Sequence, residues 1–189
     1  MFRIKAHHPV EALRSKGFTL IELMVVVAML AVLASLAAPS FAEAIRRHRV
    51  ESLREEMLAS IALAKVEAIT RGQRVGLIRT APCPNAAAAT DWDCGWSVFA
   101  DLNSNNVFDA GETLLHEVQG KPGTVMRRAP ANDAFAIDRF GQATQPARIE
   151  IFPAGAGLTA ANGLLLCVAN SGRLRTLRGP IVCLPGGPI

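Results

Sequence analysis

The sequence predicts an α+β protein: a long N-terminal transmembrane or assembly α-helix followed by a mostly antiparallel β globular domain. Three observations predict it. Residues 18–38 form an apolar run of 21 residues with one charge, Glu22. Val50, Leu53, Met57, Ile61, Ala64 and Ala68 then recur at spacings of three and four, the period of one helix face. Beyond Gly72 the pattern changes to short β-like runs separated by Gly, Pro and Asn, with no helical stretch between them. Strands in such succession pair antiparallel and lay an apolar face on the helix.

As a helix, the first run is long enough to cross a hydrocarbon core of about 30 Å. Pro39 is expected to bend or locally melt it, because proline removes a backbone donor and opposes the preceding turn. The amphipathic pattern then resumes, with Glu51, Arg54, Glu55, Glu56 and Glu67 off the apolar face. Gly72 after Arg71 reads as the stop. The expected strands are residues 73–79, 95–101, 113–118, 124–128, 147–152 and 164–169. A turn at Asn170-Ser171-Gly172 leads into one more.

A chain of 189 residues has room for one anchored helix and one globular domain, which argues against a two-domain enzyme. Half the residues are hydrophobic, 5% are aromatic and Tyr is absent, so the core must be built from Leu, Val, Ile and Ala. The net charge of +4 is uneven: Arg3, Lys5, Arg14 and Lys16 against Glu11 give the first 17 residues +3 and leave +1 for the rest. A polyanion partner must therefore be argued from clusters, not from the total.

Cys83, Cys94, Cys167 and Cys183 contain no C-x-x-C, a poor spacing for zinc and a plausible one for disulfides. Three connectivities are open. Joining Cys83 to Cys94 and Cys167 to Cys183 closes two short loops, each worth roughly 3 kcal/mol in the chain-entropy model. Disulfides imply an extracytoplasmic compartment.

Two ordinary readings of the N-terminus leave residues over. A signal peptide cut near Ser40-Phe41-Ala42 would have too long an apolar stretch and would contain Glu22. A plain anchor leaves Ser15 to Glu22, SKGFTLIE, without a reason, and a mid-membrane carboxylate costs on the order of 3 kcal/mol. Lys16-Gly17-Phe18-Thr19-Leu20-Ile21-Glu22, followed by LMVVVAML, resembles the processing site and assembly helix of type IV pilins and pseudopilins. The resemblance implies cleavage after Gly17 by a prepilin peptidase and N-methylation of Phe18. It also implies a pairing of the Glu22 carboxylate with an N-terminal ammonium when subunits assemble. The domains expected are a cleaved leader at 1–17, a transmembrane and assembly helix at 18–39, its amphipathic continuation at 40–72 and a disulfide-bridged β domain at 73–189. Counting Lys and Arg leaves orientation undecided, since Arg46, Arg47, Arg49 and Arg54 balance the leader. The cysteines and the resemblance place the C-terminal domain in the periplasm, on a single pass through the inner membrane.

Two further clusters carry chemistry. Asp101, Asn103, Asn105, Asp109 and Glu112 fall at positions 1, 3, 5, 9 and 12 of a calcium-loop pattern, with the Val107 carbonyl at 7. Position 6 is Asn106 rather than Gly, and strands rather than helices flank the segment. An Asn-rich hairpin turn accounts for the same residues. No cofactor is expected apart from the calcium that this spacing admits.

The second cluster follows the Asn170 turn, where Arg173 and Arg175 share one strand face and Arg178 follows, with no acid after Glu150. Guanidinium groups along an edge make a phosphate-binding footprint, to which Arg127, Arg128, Arg139 and Arg148 are candidate extensions. They equally suit a solvated edge that discourages strand pairing. The long helix, the cysteine-bridged β domain and Gly172-Arg173-Leu174-Arg175 resemble the GspH/FimT family of minor pseudopilins. That resemblance implies other pilin or pseudopilin subunits as partners, in a type IV pilus or a type II secretion pseudopilus. For some members it also implies DNA held at a pilus tip through Gly-Arg-x-Arg. No metal-ligand spacing surrounds His48 or His116, and no G-x-S-x-G is present, so no enzyme activity is expected.

Overall fold

The computed structural model describes residues 17–84, 86–88, 90–158, 162–178 and 183. The expected leader, apart from Gly17, lies outside them. One helix, α1 (Leu20–Arg71), precedes eight strands: β1 (Val75–Arg79), β2 (Gly95–Ala100), β3 (Leu114–Gln119), β4 (Thr124–Ala129), β5 (Ala134–Ile137), β6 (Ala147–Pro153), β7 (Leu164–Val168) and β8 (Leu174–Arg178). The chain divides into two compact units, residues 1–41 and 42–189. The α+β class read from the sequence is the observed one.

In the first unit the apolar side chains from Leu20 to Leu36 are exposed, on a helix long and apolar enough to cross a membrane by length and composition. The helical assignment continues unbroken through residue 39, so the expected local melting at Pro39 does not occur. A proline withdraws only one rung from the ladder. Ser35 Oγ donates to Val32 O at 2.7 Å and Ser40 Oγ to Ala37 O at 2.9 Å, so the hydroxyls beside the gap bond to the helix's own carbonyls.

In the second unit the six apolar positions picked out by their spacing are each at most 2% exposed. They share one core with residues of both sheets, among them Leu77, Val98 and Phe135 on one and Met126, Ile149, Ile151 and Leu166 on the other. The sheets have orders β3-β2-β1-β5 and β4-β6-β7-β8, and every neighbouring pair is antiparallel. The helix stops where Gly72 takes φ 64°, with Gly72 N–H bonded to Ile69 O and Gln73 N–H to Ala68 O. That pair of bonds is the Schellman arrangement, which an αL glycine makes without steric cost.

One strand, β5, escapes the sequence reading: its four residues, AFAI, are all buried, too short and too uniformly apolar to show alternation. Both tryptophans and Ser60 find hydrogen-bond partners inside the core. Trp96 Nε1–H donates to Ser60 Oγ at 2.9 Å, Ser60 Oγ–H donates to Glu56 O at 2.8 Å, and Trp92 Nε1–H donates to Asn132 O at 3.1 Å. The structure pairs Cys83 with Cys94 and Cys167 with Cys183, with Cα separations of 5.6 and 5.7 Å.

Ile61 touches no solvent and stands midway along the buried face. Replacing it with Ala is expected to cost about 2–5 kcal/mol of unfolding free energy, measured by urea denaturation of the full chain in detergent. Val66→Ala, on the exposed side of the same helix, is expected to change it by less than about 0.5 kcal/mol.

Candidate functional site

At the start of α1, Thr19 is the N-cap and Glu22 the third helical residue. Glu22 N–H donates to Thr19 Oγ1 at 3.3 Å, and Thr19 N–H donates back to Glu22 Oε2 at 3.2 Å. This is a capping box, which satisfies two of the orphan donors at a helix start. The carboxylate therefore stands at the positive end of the helix, bonded to the N–H of Thr19, the residue after Phe18, because local backbone geometry puts it there. The T-x-x-E spacing at Thr19 and Glu22 signals such a box in the sequence itself.

The Asp101 loop closes on its own groups. Asp101 is buried, and its carboxylate accepts the N–H groups of Asn105 and Asn106 at 3.1 and 3.3 Å and pairs with Arg74 Nε at 3.1 Å. Arg74 also donates to the Asn106 side-chain oxygen and to Ser104 O. Asn103 and Asn105 both turn their Nδ2 groups to Asp109 Oδ2, at 2.9 and 2.7 Å, and these bonds hold the Asp109 carboxyl below the usual carboxylate range. Glu112 accepts from Leu102 N–H and Asp109 N–H, and Val107 N–H donates to Asn105 Oδ1. Ser104 and Asn106 sit at φ 62° and 64°, the left-handed turn geometry Asn tolerates. Among the described residues, no group of three or more His, Cys, Asp and Glu side chains is placed to hold a metal ion.

The arginines divide by what they touch. β8 is an edge strand of the second sheet, paired with β7 so that Arg175 lies opposite Cys167 and Arg178 opposite Leu164. Arg173, Arg175 and Arg178 are exposed, whereas Leu174 is turned partly inward against the core. Arg178 donates to Glu51 Oε1, and Glu51 also pairs with Arg54 at 3.1 Å. Arg128 is 4% exposed and lies over the Phe135 ring, and burial holds its pKa below the ordinary arginine value. Arg127 faces Asp91 at 3.5 Å and Arg148 faces Glu150 at 3.0 Å. Of the arginines the sequence offered as extensions, only Arg139 is exposed with no carboxylate partner among the described residues. Arg127 meets its partner Asp91 from 36 residues away, which spacing along the chain does not show, whereas Arg148 and Glu150 are two apart on β6.

The β7–β8 turn is held by Gly172 N–H to Ala169 O at 2.8 Å and Ala169 N–H to Arg173 O at 3.0 Å. Gly172 takes φ 74°, and a Cβ there would collide with the Gly141 carbonyl oxygen and the Lys65 stem. Glycine is required at this point by both conformation and space.

Residues 54–178 match the sequence profile of the type II transport protein GspH, and residues 13–38 match the prokaryotic N-terminal methylation motif. The chain belongs to the GspH family of type II transport proteins. This GspH-family chain shares its fold with the type IV minor pilin FimU of Pseudomonas aeruginosa, at 19% identity and a TM-score of 0.50, over 67% of this chain and 91% of that one. It is also similar to Escherichia coli GspH, at 16% identity and a TM-score of 0.49, over 70% of this chain and 90% of that one. The minor pseudopilin EpsH from the type 2 secretion system of Vibrio cholerae aligns at 16% identity and a TM-score of 0.47, over 70% and 96%. No curated protein matches the sequence.

Proposed function

We propose that this chain is a structural subunit without enzymatic activity, made as a precursor and cut by a prepilin peptidase between Gly17 and Phe18. A single span through the inner membrane then holds it, with the β domain in the periplasm. It joins other pilin or pseudopilin subunits at or near the tip of a type IV pilus or a type II secretion pseudopilus. The observation that carries this reading is the position of Glu22 in the capping box. Cleavage turns the Phe18 nitrogen into an ammonium beside a carboxylate already fixed at the helix start. The same carboxylate can be met by the ammonium of a staggered neighbour.

Each charge offsets the cost of burying the other, and removing one partner leaves the other uncompensated in low dielectric. Glu22→Ala is therefore expected to abolish incorporation into filaments while the melting temperature of the β domain stays the same. Filament fractions and thermal melts of the two chains measure this. Wild-type incorporation by the variant would overturn the assignment.

A second reading, DNA binding, is favoured by the exposed edge at Arg173 and Arg175. Such an edge holds phosphates regardless of sequence. Arg178, tied to Glu51, belongs to the fold's own ion pairs and is left out of this footprint. Replacing Arg173 and Arg175 with Gln is expected to weaken binding to any DNA sequence. It should also reduce the slope of log affinity against log salt by about 2, one unit for each phosphate contact. Unchanged binding by that variant would refute the DNA role of this edge, and a wild type that binds no DNA would leave a purely structural pseudopilin that serves protein secretion.

The Asp101 loop is read here as a turn closed by Arg74 rather than by calcium, because its carboxylates already accept N–H groups and face a guanidinium. Equal melting temperatures in millimolar calcium and in chelator are expected. A calcium-dependent rise would assign the loop oxygens to the ion.

A further inference from the structure

The turn between β5 and β6 presents an aromatic ring to solvent beside the arginine edge. Phe140 is 68% exposed, with the Arg139 guanidinium 5.0 Å from the centre of its ring. The turn that carries it is fixed by four hydrogen bonds. Asp138 Oδ1 accepts Phe140 N–H and Gln142 N–H, each at 2.9 Å, Gly141 N–H reaches Asp138 O at 2.9 Å, and Asp138 N–H reaches Gln142 O at 2.8 Å. The ring is therefore displayed on a backbone that is already ordered, so ordering it on binding costs little.

This turn abuts the β7–β8 turn. Ala143 N–H donates to Asn170 O at 2.9 Å, the Gly141 carbonyl lies against Gly172, and Lys65 Nζ donates to Gly172 O. The Arg139–Phe140 pair is thus brought beside Arg173, the first residue of the cationic edge. Neither Arg139 nor Arg173 has a carboxylate partner among the described residues. The nearest acid in sequence, Asp138, is occupied by the turn's own N–H groups.

Cations that follow a phosphate backbone, next to an exposed ring on an ordered turn, are the elements with which proteins hold single-stranded nucleic acid. The ring takes a base face, which a duplex keeps stacked inside. We infer that Phe140 is a base-stacking platform, and that this end of the domain holds single-stranded DNA in preference to duplex. The inference rests on the DNA reading above and adds to it the form of DNA and a residue outside the arginine edge. Stacking on Phe140 selects the strand that offers free bases, while Arg139 and Arg173 supply attraction to phosphate that both forms share.

The experiment compares binding of the full chain in detergent micelles to a fluorescent oligo-dT single strand and to a duplex of the same length, at one salt concentration. The wild type is expected to favour the single strand. Phe140→Ala should weaken single-strand binding about tenfold and leave duplex binding unchanged, and Phe140→Trp should keep the preference. A wild type that binds neither form overturns the DNA reading itself. A wild type that binds both, with a single-strand to duplex ratio that Phe140→Ala leaves unaltered, overturns the platform and leaves that reading standing. Should Phe140→Ala instead lose incorporation into filaments with DNA binding intact, the ring is a contact between subunits and the inference is wrong.

Discussion

The burial of one helix face, from Val50 to Ala68, is the constraint on which the rest of the domain depends. Two four-stranded sheets share that face, and their inward residues meet its Leu, Met, Ile and Ala side chains in one core. A chain with few aromatic residues has little else to bury, so the interior rests on close packing of aliphatic side chains around two tryptophans. With both sheets referred to the same face, the hairpins at their ends have little freedom. The turns at Asp138 and Asn170 touch because their strands are set by a common core.

The same helix begins in a segment with the opposite requirement. Its first turns expose apolar side chains all round, a surface suited to lipid or to neighbouring helices rather than to water. Glu22 is the exception, and the capping box explains how a carboxylate is kept there: it serves the backbone first. If the chain is cut before Phe18 as proposed, a group that already satisfies orphan donors is well placed to receive the new ammonium one residue beyond the cap.

On the β domain, charge is arranged by pairing more than by number. Most arginines are partnered: Arg74 with Asp101, Arg79 with Asp133, Arg178 with Glu51. Arg128 is buried against Phe135. Among the described residues, Arg139 and Arg173 have no carboxylate partner and lie next to an exposed ring. A near-neutral domain can in this way carry a local cationic surface, which the net charge alone does not reveal.

Local physics was legible in the sequence. The 3.6-residue period named the buried apolar positions of the helix face, Gly72 announced its own cap, and the residues from Lys16 to Glu22 carried the resemblance to type IV pilins and pseudopilins. Each of these signals lies within one or two helical turns, where the residues that interact are also neighbours in the chain. Strand β5 was lost because four buried apolar residues show no alternation. Pro39 does not melt the helix, because one missing hydrogen bond is a small fraction of a long ladder.

The sequence by itself determined the fold class, the long helix and the processing motif, because short-range periodicity and capping follow from backbone geometry alone. Only the tertiary structure decided which arginines remain for a partner and which ring stands beside them. Those answers depend on contacts between residues far apart in the chain: Glu51 with Arg178, Arg74 with Asp101, Gly141 with Gly172. The packing of two sheets on one helix brings them together.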